Sequence, residues 1–195
     1  MKKKFLLGGV LAMGALIYAA CGEQQAQQPL ADAAISNDSL VKHGQYLVNI
    51  MGCGDCHSPK MMGPQGPMID PDRILSGHPA EQPLGKIDPA VLQSWVLFNH
   101  SQTATVGPWG VSFSANITGD STGIGAWTEE QFIRAMREGK YKGLPEGRPL
   151  LPPMPWQNFA GMKDIDLKSI YLYLKSTKPV KNVVPSAIPP AMPGK

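Results

Sequence analysis

The sequence predicts a single helical domain whose long, ordered connections wrap around something large. Its 195 residues suffice for one domain with a real core and are too few for two comfortable ones. Glycine and proline are both abundant, at 21 and 19 residues, whereas aromatic content is modest. Apolar residues recur near a 3.6-residue period in separate segments, divided by Gly- and Pro-rich stretches. Formal net charge is +3, and removing Lys2, Lys3 and Lys4 leaves basic and acidic residues in balance. That balance argues against nucleic acid, which wants a basic face.

Residues 1–20 read as an export signal. Lys2 to Lys4 form its positive start, and Phe5 to Ala20 an apolar stretch too short and one-sided for a stable span. Ordinary cleavage after Ala20 wants a small residue where Tyr18 stands. A lipobox reading makes Cys21 the lipidated N-terminus instead, although bacterial lipoprotein signals usually carry Leu at the position of Tyr18. The bland alternative is a spare cysteine with cleavage elsewhere. An acyl chain on Cys21 holds the exported protein on the periplasmic side of a bacterial membrane without spanning it. Residues 21–38 continue polar and small, through Gln24, Gln25, Gln27 and Gln28, as a flexible tether.

The domain proper is expected over 39–178. Leu40, Val41, Tyr46, Leu47, Val48 and Ile50 place a helix from Leu40 to Met51, capped by Asn37, Asp38 or Ser39. Gly44 inside it costs about 1 kcal/mol against Ala, which close approach of another helix would explain. This helix leads into Cys53-Gly54-Asp55-Cys56-His57, the C-x-x-C-H pattern of covalent haem attachment. Two thiols at that spacing reach the two vinyl groups of one porphyrin, and the following imidazole reaches the iron. A zinc site would need a second ligand pair, yet only Cys21 remains. A thioredoxin-like redox pair would want a βαβ context, and none is visible nearby.

Residues 58–87 are rich in Pro, Gly and Met and read as ordered loops with little regular structure. Asp88-Pro89 signals a helix start, with a helix running from Pro89 to Phe98 or His100. Residues 101–127 are again irregular. Thr128 and Gln131 form a capping box for a helix from Glu129 to Glu138 that stops at Gly139. After a Gly- and Pro-dense loop over 140–160, the last helix runs from Asp164 to Ser176. A Pro-rich tail follows over 179–195, extended and partly loose.

A haem held by His57 needs a sixth iron ligand unless it binds gas or substrate. The candidates are Met51, Met61, Met62, Met68, Met136, Met154, Met162 and Met192, with His43, His78 and His100. Met136 fits the apolar face of its helix, and any single methionine is ordinarily core filler. Met154 differs: it lies on a loop, and Pro152, Pro153 and Pro155 stiffen the backbone around it. His/Met ligation is the common solution in electron-carrying cytochromes c.

Asn116-Ile117-Thr118, Thr122-Gly123-Ile124-Gly125-Ala126-Trp127-Thr128, Gly147-Arg148 and Pro153-Met154-Pro155-Trp156 resemble class I c-type cytochromes. The similarity is greatest to the cytochrome c modules of bacterial membrane-bound dehydrogenases, over roughly residues 40 to 177. The resemblance implies an all-α cytochrome c fold, with long ordered loops around one covalently bound haem c and the first and last helices crossing near the haem edge. It implies thioether anchors at Cys53 and Cys56, axial ligands at His57 and Met154, and Asn116, Trp127 and Arg148 lining the haem or its propionates. Loop stabilisation is the bland role for each of those three. Lys163 stands where such proteins often cap the last helix with Ser or Thr, so Asp164 is expected to cap. Dehydrogenase cytochrome subunits often carry several haem motifs, and this chain has one.

The function this implies is a membrane-tethered, mono-haem electron carrier, without catalytic activity of its own. Its partners would be redox proteins: a dehydrogenase, an oxidase or a respiratory complex. The rivals are a haem-binding subunit of a larger oxidoreductase complex and a haem sensor or enzyme with an open sixth site. The last needs a distal acid–base group, for which His43, His78 and His100 are available.

Overall fold

The computed structural model describes residues 36 to 190. The expected export signal, Cys21, most of the expected tether and Met192 lie outside the described residues. Helix α1 spans Asn37–Ile50, α2 Cys53–His57, α3 Glu129–Glu138, α4 Trp156–Phe159 and α5 Asp164–Ser176. Strands β1 (Lys60–Gly63) and β2 (Gly66–Ile69) make one antiparallel hairpin. Strands β3 (Leu97–Phe98), β4 (Ala104–Gly107) and β5 (Gly110–Phe113) form a second antiparallel sheet in the order β3-β4-β5. Among the described residues no helix is long and apolar enough to cross a membrane.

Local chemistry explains the long helices. Ser36, one residue earlier than expected, caps α1 by accepting from the Ser39 amide at 3.2 Å. Thr128 and Gln131 close a reciprocal capping box on α3, and α3 stops at Gly139 in the left-handed region. Helix α5 begins where expected but without a side-chain cap: Lys163 is its N-cap, and Asp164 turns outward to meet Arg137 at 2.5 Å. The carboxylates of Asp164 and Asp166 in its first turn still favour the positive end of the helix.

Helices α1 and α5 make the most extensive contact between elements. Gly44 is the reason they can approach so closely. A Cβ there would strike the Ser169 carbonyl of α5 and lie 2.9 Å from the Tyr173 Cβ. His43 donates to Asp166 at 2.7 Å across the same contact. Beneath it, Val48, Leu75, Ile124, Phe132, Met136, Leu167, Ile170 and Leu174 form one buried cluster.

The all-α expectation is corrected by the two sheets. Residues 60–69 form a hairpin in which Met61 faces Met68 and Met62 faces Pro67. The helix expected from Pro89 does not propagate. Asp88 does accept from the Ala90 amide at 2.9 Å, but only a 3-10 turn follows, at Val91–Gln93. Leu97 and Phe98 then pair with Val106 and Thr105. The β-branched and aromatic run Val91, Trp95, Val96, Phe98 suits extended backbone, and ladder bonds offered by β4 outweigh the local start signal. The tail over 179–190 is extended as expected, and it is stitched down: Ile188 and Val111 exchange both backbone bonds, at 2.8 and 2.9 Å.

Gly44→Ala forces α1 and α5 apart, since the clashing neighbour is main chain that cannot rotate away. The expected loss is about 2 kcal/mol of stability, in the range of overpacked cores, read as a lower urea midpoint with an unchanged m-value.

Candidate functional site

The C-x-x-C-H motif is itself a helical turn. Helix α2 holds all of it, so Cys53 and Cys56, three residues apart, share a face. Both thiols are free, and each is partly buried. Burial pushes Cys53 up to about 11, and burial likewise raises Cys56. Among the described residues no group of three or more His, Cys, Asp or Glu side chains is placed to hold a metal ion, so the zinc reading finds no further ligands.

His57 is held at both ends. Its Nδ1 lies 2.8 Å from the carbonyl oxygen of Ala115, far along the chain. A carbonyl only accepts, so Nδ1 carries the proton and Nε2 keeps its lone pair. Burial lowers the basicity of the ring, and the bond to Ala115 opposes that shift. The His57 carbonyl accepts from the Gly77 amide at 2.8 Å. Next to it, the fully buried Ser58 accepts from the Leu75 amide at 2.9 Å. A neutral imidazole with an oriented Nε2, following two thiols on one helical face, fits the needs of a covalently attached haem. Cys53 also packs against the apolar cluster under α1 and α5, which suits a large apolar ring.

Met154 is partly buried against that same cluster. Its loop is tied on the N-terminal side, and the segment that follows α4 is held separately. Ser112 on β5 donates to the Pro152 carbonyl at 2.6 Å, and Arg137 on α3 donates to the carbonyls of Ala160 and Met162 at 2.8 and 2.9 Å. The other candidates are placed differently. Met136 is 7% exposed within the core, whereas Met61, Met62 and Met68 are solvent-exposed on the β1–β2 hairpin. Met51 caps the end of α1 against the core, and Met162 also borders it. His78 is fully buried with both ring nitrogens engaged, by Thr103 Oγ1 at 2.9 Å and the Gln82 carbonyl at 3.3 Å. His43 is engaged by Asp166, and His100 is exposed on the β3–β4 connection.

Trp127 packs on the cluster, and its carbonyl accepts from the Tyr171 hydroxyl at 2.8 Å. Arg148 is exposed, with its guanidinium 4.1 Å above the Tyr141 ring and one donor on the Pro149 carbonyl. Asn116 is buried and spends its polar atoms inside the protein. Its amide donates to Thr122 Oγ1 at 3.1 Å and to the Val180 carbonyl at 2.8 Å, and its oxygen accepts from Thr118. This leaves it as a knot of the loop rather than a free donor. Sequence reasoning missed Ala115, Ser112, Arg137 and Asn182. Ala115 acts through main chain, and the others through contacts between distant segments, so none carries a local signal.

In the haem-free protein, a Cys53 thiol at about 11 instead of the ordinary 9.0 is protonated at pH 8. Only the thiolate is nucleophilic, so alkylation of Cys53 should run about a hundredfold slower than in the urea-unfolded chain at that pH, rising with pH towards 11. Peptide mass spectrometry after timed iodoacetamide labelling reads both rates.

No protein-family model matches the chain. It is 31% identical over 164 residues to the gluconate 2-dehydrogenase cytochrome c subunit of Pantoea cypripedii, covering 84% of this chain and 26% of that protein. It is 26% identical over 172 residues to the cytochrome c subunit of a quinone alcohol dehydrogenase from Gluconobacter oxydans, covering 87% and 28%. The fructose dehydrogenase cytochrome subunit of Gluconobacter japonicus is 28% identical over 171 residues, again covering 87% and 28%. The chain thus spans about a quarter of the length of these relatives. Matched over most of its own length, and with its C-x-x-C-H motif on a helix that leaves His57 Nε2 unprotonated, the chain is similar to the cytochrome c subunits of bacterial dehydrogenases.

Proposed function

We propose that this chain is a single-haem electron carrier serving a dehydrogenase or another respiratory oxidoreductase. When bound, the haem supplies one-electron chemistry between ferric and ferrous iron. Cys53 and Cys56 would anchor it through thioethers, and His57 Nε2 and the Met154 thioether would hold the iron. The observation that carries this reading is the His57 ring, whose Nδ1–H is committed to Ala115 so that only Nε2 is left to bind. Met154 is supported as partner by its proline-flanked loop, tied at Pro152 to Ser112, and by the engagement or exposure of the histidine alternatives. A soft sulfur on such a loop stays bound in both iron states with little reorganisation. Trp127 supplies an apolar wall, and Arg148 is the cation available to a propionate.

The chain's own residues bind, orient and shield the group and make no bond in a substrate, which is why the role is a carrier rather than an enzyme. The dehydrogenase partner is supported by the relatives, which are cytochrome subunits of such enzymes. An export signal over 1–20 and a lipidated Cys21 would hold the carrier on the periplasmic side of a bacterial membrane, with the segment between Cys21 and α1 as its tether.

The test is a visible spectrum and redox titration of the purified chain. A low-spin ferric spectrum is expected, and a high-spin spectrum that shifts readily with cyanide would sink the carrier reading in favour of an open sixth site. Met154→Ala is expected to lower the midpoint potential and to let carbon monoxide bind the ferrous protein; an unchanged potential gives the sixth position to another ligand. Cys21→Ser is expected to move the protein from the membrane fraction to the soluble fraction on cell fractionation. Persistent membrane attachment would refute the lipid anchor.

A further inference from the structure

One side chain of the C-terminal tail clasps the segment that bonds to His57. Asn182 lies outside the last helix, in the Pro-rich stretch. Its amide nitrogen donates to two carbonyls, Ser76 at 2.7 Å and His78 at 2.9 Å, and its amide oxygen accepts from the Ala80 amide at 3.1 Å. Its own amide donates to Thr122 Oγ1 at 3.0 Å. The two carbonyls it holds flank Gly77.

Gly77 is where the segment it clasps meets His57. The Gly77 amide donates to the His57 carbonyl. On its other side Gly77 is pressed against residues 114–116, so closely that a Cβ would lie 2.5 Å from the Ala115 carbonyl carbon, and its φ of 77° admits only glycine comfortably. The His78 amide also donates to the Ser114 carbonyl at 2.9 Å. Ala115 in turn accepts the His57 ring proton. From the far side, Asn116 donates to the Val180 carbonyl of the tail. The tail thus brackets the segment carrying the Ala115 carbonyl, through Asn182 on one strand and Asn116 on the other.

We propose that Asn182 is a positioning residue for the axial histidine: by clasping Ser76 and His78 it holds the Ala115 carbonyl on the His57 Nδ1–H. A carbonyl in that position raises the basicity of the ring and favours the ferric state. The tail therefore holds the potential down, in opposition to the upward pull of a thioether ligand. This inference rests on His57 being a haem ligand.

The test compares the haem-loaded chain with Asn182→Ala, Asn182→Ser and, as control, Val183→Ala, whose side chain is exposed and makes no polar contact. Two quantities are read: the midpoint potential, and the exchange rate of the His57 ring N–H by NMR in the diamagnetic ferrous protein. Asn182→Ala is expected to raise the potential and to speed ring N–H exchange about tenfold, the loss of one net hydrogen bond. Asn182→Ser shifts both the same way by less and serves where the alanine variant fails to take up haem. Val183→Ala leaves both unchanged. Haem-loaded Asn182 variants that match Val183→Ala in both quantities overturn the inference while leaving the haem site standing. A wild-type chain that forms no thioether-bound haem overturns the functional reading, and this inference with it.

Discussion

The His57 ring donates to the Ala115 carbonyl at 2.8 Å, across 58 residues of chain, and much of the fold serves to keep that carbonyl in place. The bond decides which nitrogen is left to bind and in which direction it points. A buried imidazole is costly to orient by packing alone, because the ring is nearly symmetric about its long axis. A main-chain acceptor removes the ambiguity. It must then be immobile, and the segment at 75–78, the Asn116 loop and the tail surround it.

The rest of the architecture divides the work between two kinds of element. The α1/α5 pair, pinned at Gly44 and Ser169, supplies a rigid frame, and the cluster from Val48 to Leu174 fills the space beneath it. The sheet β3-β4-β5 adds little to that cluster. Its contribution is to place Ser112 on the Pro152 carbonyl and Val111 on Ile188, so that the Met154 loop and the tail are both tied to it. Helix α3 holds the segment beyond α4 through Arg137.

Much of this was legible before the structure. The α3 capping box, Thr128 with Gln131, and the stop at Gly139 could be read because every partner lies within a few residues. The α5 bounds and the reason for Gly44 were equally readable. The helix expected after Asp88 was not found, although Asp88 does cap the Ala90 amide; ladder bonds from β4 claim Leu97 and Phe98. The Met61–Met68 hairpin was hidden among prolines and glycines that read as loop. Asn116 could be picked out by motif, but its commitment to Thr122 and Val180 needed the fold.

By itself, then, the sequence determined what depends on near neighbours: the spacing of Cys53, Cys56 and His57, the capping box and stop of α3, and the proline-rich surroundings of Met154. The tertiary structure alone decided which carbonyl takes the His57 proton, which histidines are already engaged, and what fastens the tail. The physical reason is that these bonds are made by main-chain atoms, or by side chains brought from 40 to 106 residues away. Main-chain donors and acceptors are the same at every position, so nothing in residue type marks them. Only the path of the chain selects them.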